Sequence, residues 1–189
     1  MMRKGALCTG VVAILFSMVV SASAATMEDI VGEWGVLYQT NAKVSKVGSD
    51  ISTGGGIITF TAGVPGSNSG TFGFEDLTQG YFYTGTFVLS PDGKKLTMSL
   101  DAGGVNELFQ MMTNWLMDVP LDVTLQDPEF TTESGVVINP VKTSKKTNGP
   151  TKGVVSAKGT VSAYVVEEGI VETSNFSYKT TVTFLSKID

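Results

Sequence analysis

Few side chains in this chain could do chemistry. The 189-residue sequence has no histidine, one cysteine (Cys8) and one arginine (Arg3), and both of those sit near the N-terminus. Without histidine, neither a Ser-His-Asp triad nor a cysteine–histidine pair can be assembled. Zinc, copper, haem and iron–sulfur sites lose their usual ligands too. Carboxylate pairs remain an option for acid–base work. However, Glu75 and Asp76 are adjacent, so on a strand they point to opposite faces, and no other pair of acids falls together on an inward face. No catalytic residue, metal ligand or cofactor is expected, and the chain is not expected to be an enzyme.

The charged clusters have plain readings. Lys142, Lys145, Lys146 and Lys152 gather around one turn and could meet an anion, but a solvated hairpin tip accounts for them. Glu167, Glu168 and Glu172 make an acidic tip without the spacing of a calcium loop. Gly54-Gly55-Gly56 lacks the Gly-Lys-Ser/Thr ending of a phosphate loop. Asn175-Phe176-Ser177 has the form of a glycosylation sequon but falls within a strand pattern. The chain is acidic, with a formal net charge of −5. Nucleic acid is therefore not an expected partner.

Residues 1–24 read as a signal peptide. Arg3 and Lys4 precede an apolar run over residues 11–20, and Ala22 and Ala24 fit the small-residue pattern before a cleavage site. The run is shorter than the ~20 residues of a membrane span, so no integral membrane segment is expected after cleavage. Cys8 precedes the apolar core, whereas a lipid-bearing cysteine would follow it. Export to the periplasm or beyond is expected. The remaining residues 25–189 suit a single domain that lacks cysteine, histidine and arginine.

Period-two alternation dominates that domain. Strands are expected over residues 33–46, 51–62, 71–75, 80–90, 95–101, 121–126, 135–147, 152–166 and 170–188. The three glycines 54–56 suggest a bulge or bend, and Asp127-Pro128-Glu129 a turn. Pro91-Asp92-Gly93-Lys94 is a tight-turn sequence between two strands. One segment follows a 3.6-residue period. Over residues 104–119, Val105, Leu108, Phe109, Met112, Trp115, Leu116 and Val119 share one face, which predicts an amphipathic helix ended by Pro120. The expectation is an all-β, antiparallel up-and-down barrel of about 8–9 strands with this one mid-chain helix.

Gly32-Glu33-Trp34, just after the leader at the mouth of the first strand, resembles the opening motif of the lipocalin-like (calycin-type) barrels. The resemblance implies that Gly32 and Trp34 are structural, with the indole sealing the closed end beneath a basic side chain from the last strand. With no arginine left, Lys179 or Lys187 would have to serve. The family's helix normally follows the eighth strand, whereas the predicted one lies mid-chain. The resemblance also implies a cup for an apolar ligand. The residues expected to line it are Trp34, Tyr38, Phe72, Phe74, Tyr81, Tyr83, Phe87, Tyr178 and Phe184. The helix, through Leu108, Phe109, Met112, Trp115 and Leu116, would close it as a lid.

Periodicity assigns faces and not volumes, so three readings stay open. The barrel binds a small hydrophobic molecule, or it is packed solid and serves as a structural or interaction module of the cell envelope, or it is a small outer-membrane barrel. The small inward face of Val155, Ala157, Gly159, Val161, Ala163 and Val165 leaves space for either a ligand or the helix.

Overall fold

The computed structural model describes residues 24–119, 121, 123–144 and 149–188. Residues 1–23 of the leader, Pro120, Lys145 and Lys146 lie outside these residues. The chain opens on a single helical turn, α1 (Met27–Ile30), capped by Thr26. Strands β1 (Gly32–Val44), β2 (Gly48–Ala62), β3 (Ser69–Asp76), β4 (Phe82–Leu89) and β5 (Lys95–Leu100) follow, each paired antiparallel with its predecessor. Helix α2 (Ala102–Asp118) interrupts the meander. Then come β6 (Leu125–Thr132), β7 (Val137–Asn139), β8 (Val141–Ser144), β9 (Gly149–Pro150), β10 (Lys152–Val165) and β11 (Ile170–Ile188).

Among the described residues all eleven strands join one curled, barrel-like sheet in the order β6-β10-β11-β1-β2-β3-β4-β5-β8-β9, with β7 beside β10. The fold is thus all-β with one long helix. The first strand pairs with the last, so both ends of the domain meet mid-sheet. Inward and outward residues alternate cleanly along β1, where Trp34, Val36, Tyr38, Thr40, Ala42 and Val44 are buried.

Four local expectations are corrected. The three glycines form no bulge: Gly54, Gly55 and Gly56 pair in unbroken register with Tyr38, Leu37 and Val36. Gly54 and Gly56 are small because rings lie over them. A Cβ on Gly54 would overlap the Tyr38 hydroxyl, and one on Gly56 would meet Phe74. Asp127-Pro128 does not end a strand either. β6 runs through it, with Asp127 at a φ of +48° and a register shift opposite Ser162 and Tyr164. A proline is tolerated there because β6 is an edge strand with one unpaired side. The single strand expected over residues 135–147 is broken at Pro140 into β7 and β8. This break sends its two halves to opposite sides of the seam in the curled sheet: β7 pairs with β10 and β8 pairs with β5. Finally, α2 starts two residues earlier than its periodicity suggests. Asp101 caps it, accepting hydrogen bonds from Gly104 N–H and Thr84 Oγ1, both at 2.8 Å.

Helix α2 lies at the seam and contacts β4, β5 and β6. Leu108, Met112 and Leu116 are buried in one apolar cluster with Ala157, Val161 and Phe176. A second apolar cluster fills the far end, built on Ile30, Phe60, Phe87, Leu89 and Leu96 around Trp34.

Trp34 donates its indole N–H to the Ile30 carbonyl at 2.8 Å and packs edge-on against Phe184. Its cover is backbone: a Cβ on Gly149 would overlap the indole ring. Lys187 faces Trp34 in the register but lies against Gly32, and its ammonium donates to the Glu28 carbonyl at 2.9 Å. Lys179 is exposed on the outer face. The implied basic cover is therefore replaced by a close-packed strand. Gly32 has a φ of +122°, a conformation that disfavours side chains. Gly32→Ala should cost about 1–3 kcal/mol, from that strain and from displacing Lys187. Chemical denaturation compared with Gly35→Ala, where a Cβ meets nothing closer than 3.9 Å, checks this.

Candidate ligand chamber

Phe74 and Leu100 pack against both apolar clusters. Between the clusters lies a chamber of about 90 Å³, walled by Tyr38, Phe72, Phe74, Tyr83, Tyr178 and Phe184 from the strands and by Leu108 and Met111 from α2. A wider cleft of about 380 Å³ lies along α2, lined by Ala42, Asp50, Tyr81, Met112, Trp115 and Asp118. Thr40, Ser52, Gln79 and Met111 line both, so chamber and cleft adjoin.

The strand register explains the chamber. On the inner face of β2, Ser52, Gly54 and Gly56 are small; Tyr38 of β1 stands opposite Gly54, and Phe74 of β3 lies over Gly56. Phe74 stacks on Tyr83 with ring centroids 5.7 Å apart and meets Tyr38 edge-on at 6.0 Å. These contacts fix the aromatic wall.

Three polar side chains are buried among the described residues: Thr40, Asp76 and Thr180. All three line the chamber. The Tyr38 hydroxyl donates to Asp76 Oδ2 at 2.7 Å, and the N–H groups of Thr78 and Gln79 donate to Asp76 Oδ1 at 2.9 and 3.0 Å. On the facing side, Thr180 Oγ1 donates to the Tyr178 hydroxyl at 2.6 Å and lies 2.7 Å from Thr40 Oγ1. Buried polar groups are costly unless hydrogen-bonded, and each of these is.

Comparison with protein-family models, with curated proteins and with solved structures found no match to this chain. The site must be read from its own geometry.

Six of the nine residues expected to line a cup do line the chamber: Tyr38, Phe72, Phe74, Tyr83, Tyr178 and Phe184. Tyr81 lines the outer cleft. Trp34 and Phe87 lie away from both. Trp34 seals the end, and Phe87 packs against Phe60 with centroids 5.1 Å apart. The helix is a wall more than a lid. Leu108 lines the chamber, Met112 and Trp115 line the cleft, and Phe109 stacks on Phe130 at 5.8 Å. Leu116 is buried in one cluster with Ala157 and Val161 of β10.

Sequence reasoning missed the polar group. Its signal was present: Thr40 continues the inward series of Trp34, Val36 and Tyr38, Asp76 continues Phe72 and Phe74, and Thr180 lies between Tyr178 and Val182.

The charged tips act locally. Glu167 accepts from Thr124 N–H and Oγ1, both at 2.7 Å, which lowers its carboxyl below the ordinary range. The Pro91–Lys94 turn forms as expected, with Gly93 at a φ of +61°. The one ion pair among the described residues joins Lys94 to Asp92 there, at 3.4 Å on the surface.

Burial lifts the hydroxyls of Tyr38, Tyr83 and Tyr178 well above the ordinary tyrosine value near 10, and Asp76 adds to each shift. A raised folded-state value favours the neutral form. These groups therefore support the fold fully below pH ~10, and the support is lost as pH rises through the folded values. Alkaline titration should show their phenolate absorbance appearing with unfolding, in one cooperative step with the loss of circular dichroism. Separate ionisation of all three before unfolding would contradict their burial.

Proposed function

We propose that the protein is an exported, non-catalytic, lipocalin-like barrel that binds a small, largely apolar molecule in the chamber beneath α2. The carrying observation is convergence: the buried polar side chains Thr40, Asp76 and Thr180 all face one apolar space. Scattered structural hydrogen bonds would have no reason to meet there, whereas ligand sites combine an apolar wall with a few placed polar groups. The leader-like residues 1–24 support export, and Gly32-Glu33-Trp34 at the sealed end supports the family likeness.

The outward residues support a water-soluble barrel. Gln39, Asn41 and Lys43 on β1 and Ser177, Lys179, Thr181 and Thr183 on β11 alternate with the buried set. An outer-membrane barrel needs the reverse, an apolar belt outside and a polar interior.

Native mass spectrometry of protein purified from its own host tests the binding reading. An adduct of small mass, released on denaturation, is the expected result. Repeated recovery of ligand-free protein, with no change in tryptophan fluorescence on adding small apolar compounds, would count against it. One observation favours the alternative of a packed envelope module: a 90 Å³ chamber is smaller than the ~150 Å³ that accepts benzene. Crosslinking that captured one specific protein from the cell envelope, together with ligand-free native spectra, would support that second reading.

A further inference from the structure

The charges around the chamber narrow the ligand. Asp76 is 3% exposed, and its carboxyl oxygens accept from the Tyr38 hydroxyl and the Thr78 and Gln79 N–H groups. Among the described residues it has no cationic partner, and no described lysine lines the chamber or the cleft. The other groups facing it that could titrate are Tyr38, Tyr83 and Tyr178, all neutral at ordinary pH. Farther out, the cleft carries Asp50 and Asp118. The route from solvent therefore passes carboxylates and meets no positive side chain before reaching a buried one.

A buried charge is expensive without an opposite charge, and a cleft of one sign draws in the other. On the reading that the chamber holds a ligand, we infer that the ligand is a small apolar molecule bearing a protonated amine, with the ammonium seated against Asp76. Three features fit this occupant. Oδ2 of Asp76 accepts only the Tyr38 hydroxyl, which leaves room for a second donor. The rings of Tyr38, Phe74 and Tyr83 beside it offer faces to a cation. Ile58, Phe72 and Phe184 also line the chamber, an apolar surface suited to a short alkyl chain. Met98 and Met111 in its wall can shift to admit a bulkier tail. A fatty acid would place its carboxylate against Asp76 and is excluded by repulsion.

Calorimetric titration with hexylamine, hexanol and hexanoate at neutral pH separates charge from apolar contact, because the three share one tail. Hexylamine should bind about tenfold or more tighter than hexanol, since a hydrogen bond to a charged group exceeds a neutral one by that much. Hexanoate should not bind. Asp76→Asn keeps one oxygen for the Thr78 and Gln79 N–H groups and turns its amide N–H toward the Tyr38 hydroxyl oxygen, and it should bind amine and alcohol alike. Its circular dichroism reports whether it folds, and the wild-type series stands by itself if it does not. Equal binding of all three by the wild type would overturn the amine assignment and leave the ligand site intact. Binding of none would remove the ligand site as well.

Discussion

Asp76→Ala should lower stability by about 3–5 kcal/mol, among the largest effects of any single polar change in this protein. The carboxylate is held at 3% exposure by the Tyr38 hydroxyl and two backbone N–H groups. Alanine leaves all three donors without their acceptor, and two of them belong to the turn joining β3 to β4. The buried Tyr38 hydroxyl loses the most, about 1–3 kcal/mol, while Thr78 and Gln79 are exposed and their N–H groups lose less because water can reach them. Some of this loss is recovered if water enters the chamber. Asp76→Asn should lose much less, because its amide oxygen still accepts. Urea denaturation of both variants checks the ordering. An alanine variant as stable as the wild type would mean that Asp76 is not buried as described.

Phe60→Ala should cost about 3–5 kcal/mol, the range for emptying a large aromatic site in a core. Phe60 is 1% exposed and touches three rings: Phe87 at 5.1 Å, Phe184 at 6.2 Å and Phe72 at 6.3 Å between centroids. Few side chains in the domain hold so many neighbours in place. A loss of that size in a chain of this length lowers the thermal midpoint by roughly 6–20 °C. Phe72 and Phe184 also line the chamber, so their loosening should enlarge it. Phe60→Ala should therefore accept longer alkyl tails than the wild type while losing stability. Scanning calorimetry measures the first effect, and titration with amines of increasing chain length measures the second. Phe82→Ala is the control, since Phe82 lies on the outer face at 55% exposure and should change stability far less.

The sequence alone carried the residue faces. Trp34-Val36-Tyr38, Phe72-Phe74 and Tyr178-Val182-Phe184 could be assigned inward because a strand's side chains alternate with a period of two, whatever the strand pairs with. The 3.6-residue spacing of Leu108, Met112 and Leu116 marked the helix for the same kind of reason, and Pro91-Asp92-Gly93-Lys94 marked its turn through local backbone preference. These are short-range properties, written in neighbouring residues.

Tertiary structure decided whatever depends on partners distant in the chain. Gly54 and Gly56 read locally as breakers, and only the rings of Tyr38 and Phe74 explain why a regular strand needs them. Asp127-Pro128 reads as a turn, and only its place on the sheet edge lets β6 continue through it. The indole of Trp34 is covered by Gly149, over a hundred residues away in sequence. The chamber is the clearest case. Alternation puts Thr40, Asp76 and Thr180 on inner faces, but their meeting around one space depends on how α2, β7 and β8 are placed at the seam. Face is a property of a strand. Volume, and the placing of one buried carboxylate apart from every described cation, are properties of the curled sheet and its helix.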